Sequence, residues 1–589
     1  MSHDIQQKLR AKGYFDGPLT GYLSHQLPPD LPPWRAILRL SVQVGLVGGM
    51  AMAILCASAV LLLNPHLLNQ PRIFALLFLG LFLGFSYLGC LFLCITGLLQ
   101  ISFLKLRRKS LSTEHFLAFR IGELSGVLLF LYGSSWWWTL AIASGTYTPY
   151  SWQSLGLFGL LFGIALYITQ LLNRLTRYHS HPQQPPRFLR KLALAVLTFL
   201  FILHFYSHQQ TPKLSWTSYT AQLDSPPPPL LVLGIDGLTL KNLKTGIQKG
   251  KFPHFKTFFE TCSLAHLEGF EGDQASEWIS LLTGHSILGH GIQGLSQPQY
   301  LGQVHIFGPE QFWNYFFPFF KKQSLLTTDQ RRVKFLWELA SEAGFPVAVI
   351  NCWGTWPAEP LHGQLFSDRF IPAALTNQFQ GKESFPLSTS SEVQQWNTQV
   401  QQGLPAGIPR QHPSYTSYLL DHYTSFLWEK TKKTQATLTV AYFQGLDILQ
   451  RATPPYDLEN LEHLSQYYQF LDELLGSALS SSRLALLAGP GFLPQSNGLF
   501  FVRGEGFVSQ KEVSGSFLKV MPTLLQALGL PTSSEFLEGF DFFTPDFQKR
   551  YPWTQVQSFG KRLPASPSNS PSVSLEQYYR TLGYLSSKH

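Results

Sequence analysis

From Leu124 to Asn173 the chain carries no aspartate, glutamate, lysine or arginine. A soluble globule has little use for so long an uncharged run, whereas a bilayer requires one. Charged residues are 13% of the whole chain, against ~25% in ordinary soluble domains. The dilution is uneven, because residues 430–480 read like a soluble protein. A membrane half joined to a soluble half explains this better than one diluted globule.

Five apolar segments stand out, at about 40–63, 73–101, 124–145, 155–173 and 192–207. A helix needs ~20 residues to cross ~30 Å of hydrocarbon. The first four segments meet that length. The fifth is short and relies on Arg190 and Lys191 snorkelling at its entrance.

The charges between segments set an orientation. Lys8, Arg10, Lys12, Arg35 and Arg39 precede the first segment. Lys105, Arg107, Arg108, Lys109 and Arg120 follow the second, and Arg174, Arg177, Arg187, Arg190 and Lys191 follow the fourth. The alternate connections carry Arg72 and nothing. The positive-inside rule then predicts five crossings, a cytoplasmic N-terminus and an exported C-terminal half.

Trp136, Trp137 and Trp138 suit either an outer interfacial belt or plain bundle packing. Glu123 is the single acid near a segment, so the bundle reads as an anchor rather than a transporter. The net charge of +9 is counted as topology, with the bilayer as partner and no nucleic acid. The polar start is not a cleavable signal peptide. Cys56, Cys90 and Cys94 fall in apolar runs. Cys262 and Cys352 fall in the soluble half, where pairing stays open.

The expected organisation is a cytoplasmic segment (1–39), an all-α transmembrane bundle of about five helices (40–210) and a Pro-rich linker (211–229) with the stiff run SPPPP. An α/β ectodomain (230–545) and a C-terminal tail (546–589) follow. In the ectodomain, LLVLGIDG (230–237), PVAVIN (346–351), ATLTVAYF (436–443) and LALLAG (484–489) read as strands. VKFLWELASEAG (333–344) and residues 457–480 read as helices. Strands alternating with helices predict a mostly parallel sheet covered on both faces. Residues 371–430 are rich in Gln, Ser and Pro, and read either as a lid or as a surface insertion.

Six stretches, taken in order, carry a resemblance. They are GIDGL (234–238), FPHFKTFFE, WISLLTGHSILGHGI (278–292), WGTWPAEPLHGQLFSDR (353–369), GLD (445–447) and MPTLLQALGLP (521–531). From about 230 to 540 the chain resembles the alkaline-phosphatase superfamily, specifically its type I phosphodiesterase / nucleotide pyrophosphatase branch. The plan of five crossings before such a domain is similar to that of phosphoethanolamine transferases and lipoteichoic acid synthases. The resemblance implies an alkaline-phosphatase-like fold and, from those relatives, a bacterial inner membrane.

The resemblance also implies two divalent metals, usually zinc, flanking a Thr or Ser nucleophile whose pKa they lower. Such a pair needs about six ligands, typically aspartates and histidines. Carried over singly, the first aspartate is Asp236 and the second-cluster aspartate is Asp447. The nucleophile position, counted back from Thr283, is Gln274, and Ser276 lies nearby. Arg451 stands in place of a histidine. The Ser-Asp-His-Gly motif falls on Ala488-Gly489-Pro490-Gly491, and no histidine follows His463 until His589. Trp353, Trp356 and Glu359 lie in a segment that lines the site in relatives.

The expectation is therefore a catalytically silent domain with a residual pocket of Gln274, Arg451, Trp353 and Glu359 around vestigial Asp236 and Asp447. No cofactor is expected, and Arg451 is expected to neutralise Asp447, a guanidinium being always charged. Plainer duties compete: Asp236 as a turn or cap residue, Asp447 and Arg451 as a surface i,i+4 pair, Trp353 as packing. His290 matches a structural position. His254, His266, His285 and His305 lack a short ligand spacing.

The function expected is binding or scaffolding at the cell envelope, toward a phosphorylated lipid, a glycan or an envelope protein. The alternative is an active phosphodiesterase or headgroup transferase with rearranged ligands, using zinc or another divalent metal. A third reading makes the bundle the functional part and the ectodomain its cover.

Overall fold

The computed structural model describes residues 38–60 in part, 71–106, 227–269, 272–300, 321–404, 413–452, 462–481, 483–489, 498–559, 562, 573–582 and 584. The chain divides into two compact units, Met1–Gln209 with Pro298–Lys322, and Gln210–Gln297 with Gln323–His589.

In the first unit a helix runs over Pro71–Leu106, longer than the apolar run 73–101 that predicts it. Its stretch Phe74–Leu91, with mean hydropathy 2.2, is long and apolar enough to cross a membrane. Residues 38–60 are helical wherever they are described. Ala53, Cys56, Ala57 and Val60 pack against Leu77, Leu81 and Phe85. Higher up, Gly49 lies so close to the second helix that a Cβ would sit 2.1 Å from the Ser86 hydroxyl. Small residues permit this backbone approach. Leu46, Met50, Leu79, Leu83 and Leu91 face outward. The segments 124–145, 155–173 and 192–207 lie outside the described residues, as does the orientation drawn from them.

The second unit is built on a nine-stranded sheet. Its strands are β1 (Leu230–Asp236), β2 (Ser263–Glu268), β3 (Val347–Cys352), β4 (Gly363–Ser367), β5 (Ser384–Phe385), β6 (Leu438–Phe443), β7 (Arg483–Gly489), β8 (Gly498–Gly504) and β9 (Glu512–Ser516). The order is β9-β2-β8-β7-β1-β6-β3-β4-β5. The centre, β7-β1-β6-β3-β4, is parallel, as the alternation of strands and helices predicts. The sheet is nevertheless mixed, because β8 runs antiparallel to β7 and β2, and β5 antiparallel to β4.

β1 lies at the centre with every residue buried. Its side chains alternate between two cores, as strand geometry requires. Leu230 and Val232 join one core with Val440, Tyr442, Ala485 and Leu487. Leu231, Leu233 and Ile235 join the other with Ala441, Phe443, Leu484 and Leu486. Helices cover both faces, Gln274–Thr283 and Val520–Ala527 on the first, Pro413–Thr431 and Glu462–Ala478 on the second.

Two segments differ from their sequence reading, and the two soluble-half cysteines, whose pairing it left open, are unpaired. Within 371–430, the helices Ser390–Gln402 and Pro413–Thr431 place Val393, Val400, Tyr423, Leu427 and Trp428 in the second core, so this region is neither lid nor surface insertion. Beyond 545 the chain stays packed: Tyr551 and Tyr579 are buried in the first core and Leu582 in the second. Cys262 and Cys352 are free and belong to cores on opposite faces of the sheet.

Candidate functional site

Parallel strands deliver their carboxyl ends to one edge, where α/β proteins place ligands. Asp236 is the last residue of β1, and it is fully buried at that edge. One of its oxygens, Oδ2, accepts three hydrogen bonds. They come from the Tyr442 hydroxyl at 2.6 Å, the Trp278 indole N–H at 3.0 Å and the Gln274 amide. Tyr442 comes from the adjacent β6, and its ring meets Trp278 edge-on at 4.8 Å. Trp278 fits against β1 only because residue 234 is glycine; a Cβ there would lie 2.7 Å from its ring.

Gln274 and Trp278 belong to the helix Gln274–Thr283, capped by Asp273, whose carboxylate accepts the Ser276 N–H. Ser276, the hydroxyl nearest to Gln274 in sequence, is engaged with the helix cap. Its hydroxyl donates to the Asp273 carbonyl at 2.8 Å, and the side chain is buried.

Asp447 and Arg451 enter from the helix Gly445–Ala452, which begins just after β6. Asp447 is fully buried, so the pair is not a surface i,i+4 contact. Arg451 Nε donates to Asp447 at 2.6 Å, and its Nη2 donates to the Gln274 carbonyl oxygen at 2.8 Å. The result is one hydrogen-bonded chain, Asp236–Gln274–Arg451–Asp447. Each amide end of Gln274 faces the group it suits: N–H to carboxylate, C=O to guanidinium.

Burial, and then the nearby Asp447, push the Asp236 carboxyl up to about 8. Burial, with Asp236, Asp273 and Asp447 behind it, pushes Glu277 up to about 8 as well. Low polarizability surrounds a cluster that already holds more acid than base. The Tyr442 hydroxyl is raised well above its ordinary range by burial and by Asp236, so it keeps the proton that it donates to Asp236.

The remaining sequence candidates separate. Trp353 stands beside the cluster, its ring 6.0 Å from Tyr442. Glu359 does not join it; it pairs with Arg562, which also bonds Glu338 beside Arg331. His290 is buried and structural. Its Nδ1 accepts the Ile292 N–H at 3.1 Å, which leaves Nε2 to donate to Ser280 at 2.8 Å. Pro490 and Gly491 lie outside the described residues. Gly489 is described, and a Cβ there would fall 2.5 Å from Asp236 Oδ1 and 3.0 Å from the Trp278 indole nitrogen. Its strand end bears no side chain because Asp236 and Trp278 fill the space.

Tyr442, Trp278 and Tyr584 escaped the sequence reading. A tyrosine inside the buried strand ATLTVAYF was the available signal, since a buried hydroxyl needs a partner.

The arrangement does not suit a pair of divalent metals. Three donors occupy one oxygen of Asp236, and a permanent cation occupies Asp447. Among the described residues, no three His, Cys, Asp or Glu side chains group so as to hold a metal.

Residues 230–485 match the family model of type I phosphodiesterase / nucleotide pyrophosphatase. No curated protein matches the sequence. Among solved structures, a phosphonoacetate hydrolase from Sinorhizobium meliloti aligns at 16% identity and a TM-score of 0.32, over 45% of this chain and 56% of that one. This chain thus spans little more than half of that hydrolase. A lipoteichoic acid synthase from Listeria monocytogenes aligns at 12% identity and TM-score 0.33, over 53% and 75%. A sulfatase from a Pseudoalteromonas species aligns at 11% identity and TM-score 0.32, over 61% and 76%.

Proposed function

We propose that this chain is a membrane-anchored, exported protein whose phosphodiesterase-like domain binds or organises a partner without hydrolysing it. The observation that carries this is the guanidinium of Arg451 on buried Asp447, tied through Gln274 to Asp236. Attack on phosphorus needs an ionisable nucleophile next to positive charge. Gln274 supplies an amide where the related enzymes place a hydroxyl, and Arg451 takes the coordination space of a metal. The binding partner is a phosphorylated lipid, a glycan or an envelope protein at the outer face of the membrane. The single apolar helix stretch described, with its outward leucines, supports the anchor, and the alternation of basic loops supports export.

The test uses the full chain purified in detergent. Metal content and hydrolysis of bis(p-nitrophenyl) phosphate are measured with zinc, manganese and magnesium. The expected result is no stoichiometric metal and no turnover above buffer. Two tightly held ions per chain, with turnover abolished by Asp236→Ala, would overturn the reading in favour of an active phosphodiesterase.

A further inference from the structure

The C-terminal residues bear directly on the cluster. The helix Val573–Thr581 packs Tyr579 into the first core, with its hydroxyl donating to the Asp368 carbonyl at 3.4 Å. Leu582 then enters the second core. A segment that reaches both cores within a few residues must cross the end of the sheet, here the end where β1, β3 and β6 terminate. Tyr584 packs against both cores. Its ring lies 5.0 Å from the Arg451 guanidinium and 5.4 Å from Trp353. The Tyr584 ring thereby covers Arg451 in part and Trp353.

Tyr584 is an awkward plug. Its hydroxyl is buried and, among the described residues, has no hydrogen-bond partner; the same holds for Asp236 Oδ1 and the Trp353 indole nitrogen. Each unpartnered buried polar group costs on the order of 1–3 kcal/mol. A cover held by ring contacts over unsatisfied polar atoms is one that a better-matched occupant can replace.

We propose that the helix Val573–Thr581, with Leu582 and Tyr584, is a strap that occupies this site from within the chain, and that a ligand enters by displacing Tyr584 from Arg451 and Trp353. The strap regulates the site assigned above and so rests on its reading as a ligand site. Its test needs neither ligand nor turnover, and the two ideas therefore fail separately.

The experiment is phenylglyoxal labelling of the full-length protein, with the rate at Arg451 read by peptide mass spectrometry and Arg503 as internal control. The variants are Tyr584→Ala, Tyr584→Phe and a chain ending at Leu582, which keeps the packed helix. Arg451 is expected to react about fivefold faster in Tyr584→Ala and in the shortened chain, because its cover is lost. Tyr584→Phe is expected to match the parent, since the ring provides the cover. Equal Arg451 rates in all four proteins would overturn the strap. So would a parallel rise at Arg503, which would make the effect a loss of fold.

Discussion

At the scale of single residues, the site turns on where positive charge comes from. Asp447 has no exposed surface, and a bare carboxylate there would be costly. Arg451 supplies the counter-charge from one helical turn away and reaches Gln274 with a second nitrogen. Removing one partner of a buried ion pair costs ~3–5 kcal/mol, because the other charge is left stranded. Arg451 keeps some contact with solvent, so the low end applies. Arg451→Ala is expected to destabilise the second unit by about 3 kcal/mol, read as a shift in the urea midpoint of the full chain. Arg451→Lys is expected to recover only part, since one ammonium cannot hold Asp447 and Gln274 in the same fork. A variant as stable as the parent would show that the pair is incidental.

The elements decide how that pair is presented. Asp421, on the helix Pro413–Thr431, accepts the backbone N–H groups of Gln444 and Gly445 at 3.1 and 3.0 Å and the Tyr467 hydroxyl at 2.6 Å. It thereby anchors the turn from β6 into the helix that carries Asp447. Burial pushes its carboxyl from an ordinary 3.8 up to about 7. An acid with a raised folded pKa stabilises fully below its unfolded pKa and loses that contribution as pH rises through the folded one. Stability should therefore fall from pH 3.8 to about 7 on this account and then level. Asp421→Asn, whose amide can donate to Tyr467 while Tyr467 donates to the Ser417 carbonyl, is expected to make that slope shallower in urea titrations, with the remainder carried by Asp236 and Glu277, which are raised as well. An unchanged slope would assign it elsewhere. Much of this scale was legible beforehand. The central strands announced themselves as apolar runs ending in Gly or Asp turns, and Asp236 and Asp447 sat at two of those ends. What could not be read was tertiary. Strands β8 and β9 lack a distinctive period, the antiparallel edge depends on which neighbours they meet, and the helices of 371–430 hide their apolar stripe among Gln and Ser. Glu359 sits in the expected segment, yet Arg562, distant in sequence, claims it.

At the scale of the molecule, the question is whether cysteine pairing contributes to what holds the second unit together. Small exported domains often lean on disulfides, whereas large ones bury enough apolar surface to do without. The second unit has such buried apolar surface on both faces of its sheet. Its sheet separates two apolar cores, and Cys352 lies in one while Cys262 lies in the other. A bridge between them would have to pass through the sheet, beyond the reach of a disulfide. Neither thiol is poised to react: burial pushes Cys262 up to about 12 and raises Cys352 further, so the attacking thiolate is scarce at neutral pH. The unfolding midpoint of the second unit is therefore expected to be the same with and without reductant. Maleimide should label Cys262 and Cys352 only after denaturation, as peptide mass spectrometry of the full chain can assign. A midpoint that drops on reduction would mean that these cysteines meet in a partner or in another arrangement of the sheet, and the two-core architecture that sets Asp236 at the end of β1 would have to be redrawn.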